Sequence, residues 1–273
     1  MTKDLIELSK RIRRNILELT FNAGSEGSHI GGALSASDIL SVLYGRILKY
    51  DISNPQDPTR DRFILSKGHT AIALYSTLYE CVFITKEDLL SFETDHSKFQ
   101  THCTMNVEKG IEISSGSLGW GLSVSIGMQI DANKKGLNYY NYVLLGNGEC
   151  NEGSIWEAAM LASQLKLSRL VAILDNNHMQ LDGDSDSILN SRDFSQRFTA
   201  FGWNVVETDG HSHKDLEIAF NKCKECKDKP SIIIAETIKG KGISFLENNP
   251  KSHHMSITKE QYDLALTEIG DIQ

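Results

Sequence analysis

The chain has 273 residues, of which 40% are hydrophobic, with five cysteines and a net charge of -8. That is enough apolar material for one large core, and a single domain over residues 1–273 is expected, since α/β domains of this length need not be divided. The negative balance, with Lys and Arg scattered among carboxylates, excludes a nucleic-acid surface, and no apolar run reaches the length of a membrane span. The charged run from Lys3 to Leu8 is not that of a signal peptide, and an odd number of cysteines points to a reducing cytoplasm without a disulfide framework.

Leu5, Ile6, Ile12, Ile16 and Leu19 predict an amphipathic first helix ending near Gly24. A second helix is predicted from Ser37 to Leu48, and a Pro-containing loop from Asn54 to Pro58. Phe63 to Leu65 is short and β-like, and Ser123 to Ile130 mixes small and apolar residues as a buried helix does. Two apolar β-rich runs follow, Tyr142 to Leu145 and Leu170 to Leu174. Between them Ile155, Trp156, Ala159, Met160 and Leu165 recur at helical spacing. Further strands are expected at Trp203 to Glu207 and Ser231 to Glu236, with a helix from Lys214 to Cys226 between them. Such alternation predicts an α/β fold, a mainly parallel sheet with helices on both faces.

Each central strand runs into a polar loop. The first is Gly146-Asn147-Gly148-Glu149-Cys150-Asn151-Glu152-Gly153, and the second begins at Asp175-Asn176-Asn177. Open parallel sheets bind their ligands at these carboxyl ends. Gly146 and Gly148 allow backbone N–H groups to approach phosphate oxygens, and the following helix N-terminus favours negative charge. The side-chain carbonyls of Asn147 and Asn177 suit a hard cation that bridges a diphosphate. Magnesium takes few protein ligands and completes its octahedron with phosphate and water.

In this setting the loops resemble the thiamine diphosphate motif of the transketolase family, whose first loop usually reads Gly-Asp-Gly. The resemblance extends through Gly31-Gly32-Ala33-Leu34-Ser35-Ala36-Ser37-Asp38, Ser66-Lys67-Gly68-His69 and Ser114-Ser115-Gly116-Ser117-Leu118-Gly119. It continues in Phe201-Gly202-Trp203, Asp209-Gly210-His211 and Lys239-Gly240-Lys241-Gly242. Nearly the whole chain is covered, yet it corresponds to about the first third of a full transketolase. The chain therefore looks like the N-terminal, diphosphate-binding subunit of a split enzyme.

The resemblance implies thiamine diphosphate as cofactor and Mg2+ (or Ca2+ or Mn2+) held by the side chains of Asn147 and Asn177 and the backbone carbonyl of Met179. Gly148, Glu149 and Asn177 then lie along the cofactor, Gly116 and Leu118 offer backbone to its aminopyrimidine, Leu181 packs on it, and Glu152 lies near a subunit boundary. Taken singly, each histidine reads as a surface or capping residue. In order, however, His29, His69, His102 and His254 match the four that this region contributes to a transketolase centre. By that analogy His69 and His254 reach the diphosphate, while His29 and His102 surround the sugar oxygens. His253 is an alternative to His254, because Met255 stands where the family has glycine.

The implied reaction passes a two-carbon ketol unit from a ketose to an aldose. The implied partner is a separate C-terminal transketolase subunit carrying the pyrimidine-binding domain, in a heterotetramer. Asn147, Ile30, Trp120 and Cys103 depart from the common Asp, Pro, Gln and Pro. Asn147 implies weaker metal binding, while Trp120, Cys103 and Met255, near the expected pocket, point to an unusual substrate such as a modified or nucleotide-linked sugar. A component of another thiamine-dependent enzyme, such as a deoxyxylulose-phosphate synthase, and a non-catalytic scaffold stay open as alternatives. Cys223-Lys224-Glu225-Cys226 is a lone CxxC, short of the four ligands that zinc normally takes.

Overall fold

The computed structural model describes residues 4–189 and 193–271; Lys3 of the N-terminal run lies outside them. Five strands build one sheet: β1 (Arg62–Leu65), β2 (Asn141–Gly146), β3 (Leu170–Asn176), β4 (Asn204–Asp209) and β5 (Ser231–Glu236). Their order is β1-β2-β3-β5-β4 and every pairing is parallel, so the expected α/β architecture is the observed one.

Alternation along each strand feeds two separate cores. Tyr142, Leu144, Val171 and Ile173 enter one buried cluster with Ile12 and Ile16 of the helix Leu5–Asn22 and Phe220 of the helix His213–Glu225. Val143, Leu145, Ala172 and Leu174 enter the other, with Ile126 of the helix Trp120–Lys134 and Ile155 of the helix Gly153–Gln164. A strand buried on both faces has no need of polar alternation, which is why these runs are continuously apolar. Each fully buried leucine contributes roughly 1.5–3 kcal/mol relative to exposure.

Helix Leu5–Asn22 ends where the sequence suggested, and Asp4 caps its start by accepting from the N–H groups of Ile6 and Glu7. The second predicted helix is different. It is Ser37–Val42 running into a π-helical turn Leu43–Ile47, and a separate helix Ile30–Ser35 precedes it. Ser37 donates its hydroxyl to the carbonyl of Ala33, a back-bonding that bends helices, while Ser35 donates to Asp175. The helix predicted as buried from Ser123 to Ile130 spans Trp120–Lys134 and is buried on one side only. Leu122, Ile126 and Gln129 face inward, whereas Trp120, Ser123 and Gly127 are exposed. Among the described residues no helix is long and apolar enough to cross a membrane.

Because all five strands point the same way, the segments after β1, β2, β3 and β5 converge on one edge. Those segments carry Lys67 and His69, Asn147 and Gly148, Asn177 and Met179, and Lys239.

Candidate functional site

The converging segments enclose a cavity of about 400 Å³. Its wall includes Asn147, Gly148 and Glu149 after β2, Asn177, Met179 and Leu181 after β3, and Lys239 after β5. His69 comes from the loop after β1, and His102, Gly116, Leu118, Glu152 and His253 complete the wall from other loops. A second cavity of about 250 Å³ lies on the other side of Asn147, lined by Glu207, Glu236, Asp186 and Asp193. Its carboxylates would repel a phosphorylated ligand; the larger cavity has the opposite character.

Two asparagine amides stand in that larger cavity in fixed orientations. Asn177 donates Nδ2 to Asp175 Oδ2 at 3.2 Å and to Ser35 Oγ at 3.4 Å, and its Oδ1 accepts from the Met179 N–H at 3.1 Å. Asn147, buried to 3% exposure, donates Nδ2 to Ser185 Oγ at 2.6 Å. Both nitrogens are thus taken by buried acceptors, which leaves the Asn147 oxygen and a second lone pair on the Asn177 oxygen for a cation. Among the described residues no group of three or more His, Cys, Asp or Glu is placed to hold a metal. A donor set of neutral oxygens fits a hard divalent ion that brings its own anionic ligand.

The glycine loop differs in detail from the expectation. Gly146 donates its N–H to Glu149 Oε2 at 3.0 Å, so that donor is used within the protein and is not left for phosphate. Gly148 packs closely against Gln180: a β-carbon there would lie 2.7 Å from Gln180 Cγ and would displace that side chain. Glu149 also accepts from the Ser66 hydroxyl and from the Gly119 N–H at 2.8 Å. Its buried carboxylate ties the loops after β1 and β2 to the start of the helix Trp120–Lys134. Burial raises the Glu149 pKa, against the pull of these hydrogen bonds.

Five histidines gather at the inner end. The His29 ring centroid lies 5.3 Å from His69, 5.8 Å from His102, 5.3 Å from His253 and 4.5 Å from His254. Of the adjacent pair, His253 lines the cavity, stacks on His69 at 5.3 Å and lies 3.2 Å from Lys239 Nζ. His254 stands exposed against His29. The pair reaches this place because Ser28 and Met255 form an antiparallel bridge. Gly27, at φ +64°, makes that bridge possible, since a β-carbon would lie 2.4 Å from the Met255 carbonyl. Burial pushes the His29 imidazole down to about 3, helped by His254, His253 and His102. Burial and Lys239 push His253 to about 4, and burial with Lys67 lowers His69. Neutral imidazoles remain able to donate to an oxygen that gains charge. His29 Nδ1 is buried with no partner among the described residues.

Two lysines in the cavity carry roles that motif reading did not assign. Lys67 pairs with Asp175, and Lys239, only 2% exposed, donates to the Gln180 carbonyl at 3.0 Å. Burial and the nearby Lys67 bring Lys239 down to about 8, against Asp175. The available cue was position: each lysine sits in a glycine-containing loop within a few residues of a strand's carboxyl end.

Gly116 lies with its backbone against His102, and Leu118 and the 61% exposed Leu181 form an apolar rim. Cys150 is inert by burial, which raises its pKa. Cys223 is buried inside its helix and pushed up to about 12 by burial, so the CxxC offers no exposed thiolate pair.

A parallel sheet covered on both faces, with a cationic, amide-bearing cavity at its carboxyl edge, defines an α/β domain built to hold a phosphorylated cofactor. Residues 9–270 match the family described as "Transketolase, thiamine diphosphate binding domain". The chain is 39% identical over 272 residues to one of the named subunits of the apulose-4-phosphate transketolase of Phocaeicola vulgatus, covering 99% of this chain and 96% of that protein. It is 38% identical over 266 residues to "6-deoxy-6-sulfo-D-fructose transketolase subunit SqwG" of Clostridium sp. (strain MSTE9), covering 97% and 96%. The transketolase structure from Campylobacter jejuni superposes with a TM-score of 0.91 at 30% identity, over 100% of this chain and 44% of that one. The chain therefore belongs to the transketolase family, of which it is a thiamine diphosphate-binding domain. It spans less than half the length of the solved transketolases it matches, at 42% and 44%.

Proposed function

We propose that the chain is the diphosphate-binding subunit of a two-component transketolase that transfers a two-carbon ketol unit from a ketose to an aldose. The observation that carries the proposal is end-to-end similarity, over 96% of its length, to a protein whose name makes it one subunit of a transketolase. Apulose-4-phosphate and 6-deoxy-6-sulfo-D-fructose, the sugars in the relatives' names, support a modified sugar as substrate.

Lys67 and Lys239 give the cavity its cationic groups, and the neutral imidazoles of His69 and His253 add hydrogen-bond donors for a diphosphate. Asn147 and Asn177 oxygens, with the Met179 carbonyl, would hold Mg2+ or a similar divalent ion against it. Thiamine diphosphate, when bound, supplies the electron sink that lets a carbon–carbon bond beside a ketone break. The protein's own part is orientation and hydrogen bonding. Neutral His29 and His69, with His102 and His254 around them, donate to sugar and phosphate oxygens at the inner end. Leu118, Met179 and Leu181 exclude water along the apolar wall. The aminopyrimidine end is completed by a separate subunit carrying a pyrimidine-binding domain, in a cytoplasmic heterotetramer.

The test is reconstitution. The purified chain alone should show no ketol transfer and should gain it when mixed with the product of a neighbouring transketolase C-terminal gene. Robust transfer by this chain alone overturns the proposal.

A further inference from the structure

We propose that Ser185 is a positioning residue for the divalent cation, holding the Asn147 amide so that its oxygen and not its nitrogen is offered to the metal. The inference rests on the functional reading of the cavity given above. An amide has two unlike ends. Turned by half a rotation, Asn147 would present an NH2 group, which repels a cation and removes one ligand. In the structure Ser185 Oγ accepts from Nδ2 at 2.6 Å, in a place where Asn147 is 3% and Ser185 5% exposed.

Ser185 is itself held. Its N–H donates to the His178 carbonyl at 2.9 Å, Met179 and Asp184 form an antiparallel bridge, and the Gln180 N–H donates to the Gly183 carbonyl at 2.8 Å. The tight loop that carries the Met179 carbonyl thus also carries the hydroxyl that orients Asn147. One rigid segment sets two of the three proposed ligands. Asn177 has a separate lock in Asp175 Oδ2, so the two amides are fixed independently. A carboxylate at position 147 would need no such partner, because both of its ends are oxygens.

That asymmetry gives the experiment. Magnesium is titrated calorimetrically into the full chain with saturating thiamine diphosphate, with circular dichroism to verify folding. Ser185→Ala should weaken magnesium binding about tenfold, the usual scale for losing a partner that orients a metal ligand. Ser185→Thr, which keeps the hydroxyl, should retain wild-type affinity. Asn147→Asp should bind magnesium more tightly, and adding Ser185→Ala in that background should change nothing further. If Ser185→Ala fails to fold, Ser185→Cys, with its poor acceptor, reads the same step. Unchanged affinity in the Ser185 variant, or an equal loss in both backgrounds, overturns the inference while leaving the functional reading intact. A wild-type chain that binds neither cofactor nor magnesium overturns both.

Discussion

Lys67 and Asp175 form a buried ion pair across the carboxyl edge of the sheet, joining the segment after β1 to the end of β3 with β2 between them. Asp175 also accepts from Ser35 Oγ at 2.6 Å and from the Thr237 hydroxyl. Burial alone would raise its pKa, but Lys67 and these donors hold it below the usual carboxylate value. One helix end and two loops are therefore tied to one carboxylate beside the cavity.

Removing one partner should cost far more than removing both. Asp175→Ala leaves a buried ammonium without its counter-charge and should lower stability by roughly 3–5 kcal/mol. Lys67→Met combined with Asp175→Leu should lose much less. Urea unfolding of the three proteins measures the difference, and equal losses would show that the pair carries no such coupling.

Acid should weaken the fold through the buried histidines. His29, His69 and His253 have pKa values lowered in the folded chain, to about 3 and about 4 for the first and last, while the unfolded chain titrates near 6.5. Between pH 6.5 and about 4 the unfolded state binds protons that the folded state refuses. Stability is therefore full above 6.5 and declines as pH falls through that window. Urea midpoints at pH 7.5 and 5 should differ in that direction, with a shallower decline for His29→Asn. A midpoint that rises on acidification contradicts the assignment.

Binding of the cofactor should take up protons near pH 8. Lys239 sits at about 8 because burial and Lys67 disfavour its charged form, and an arriving diphosphate reverses that preference. Calorimetry in buffers of different ionisation enthalpy reads the uptake directly. It should shrink in Lys239→Met; an unchanged uptake would assign the proton elsewhere.

His69→Ala should weaken thiamine diphosphate binding by roughly 1.5–3 kcal/mol, the scale of one hydrogen bond to a charged group. Sugar affinity of the reconstituted enzyme should move less. An unaltered cofactor dissociation constant in a folded variant removes His69 from the diphosphate.

The sheet was legible because its strands are buried on both faces, so Tyr142 to Leu145 and Leu170 to Leu174 stand out as unbroken apolar runs. The loops after them were legible because parallel strands must place Asn147 and Asn177 side by side. Local periodicity could not show the break at Ala36, where Ser37 bonds back to Ala33 and Ser35 reaches across to Asp175. Nor could it show that Gly146 spends its N–H on Glu149, a bond made only once the turn has closed. Lys67 and Lys239 were hidden for another reason. A lysine in sequence reads as solvated, and only the third dimension reveals that each is 2% exposed.

The bridge between Ser28 and Met255 also sets a timetable. His29 precedes all five strands in the chain, whereas His253 and His254, its companions near the inner end of the cavity, follow them. During synthesis the sheet can condense strand by strand while this corner stays open, because its closing contact joins distant parts of the chain. A released chain truncated before Ser252 would thus keep all five strands and lack this corner of the pocket.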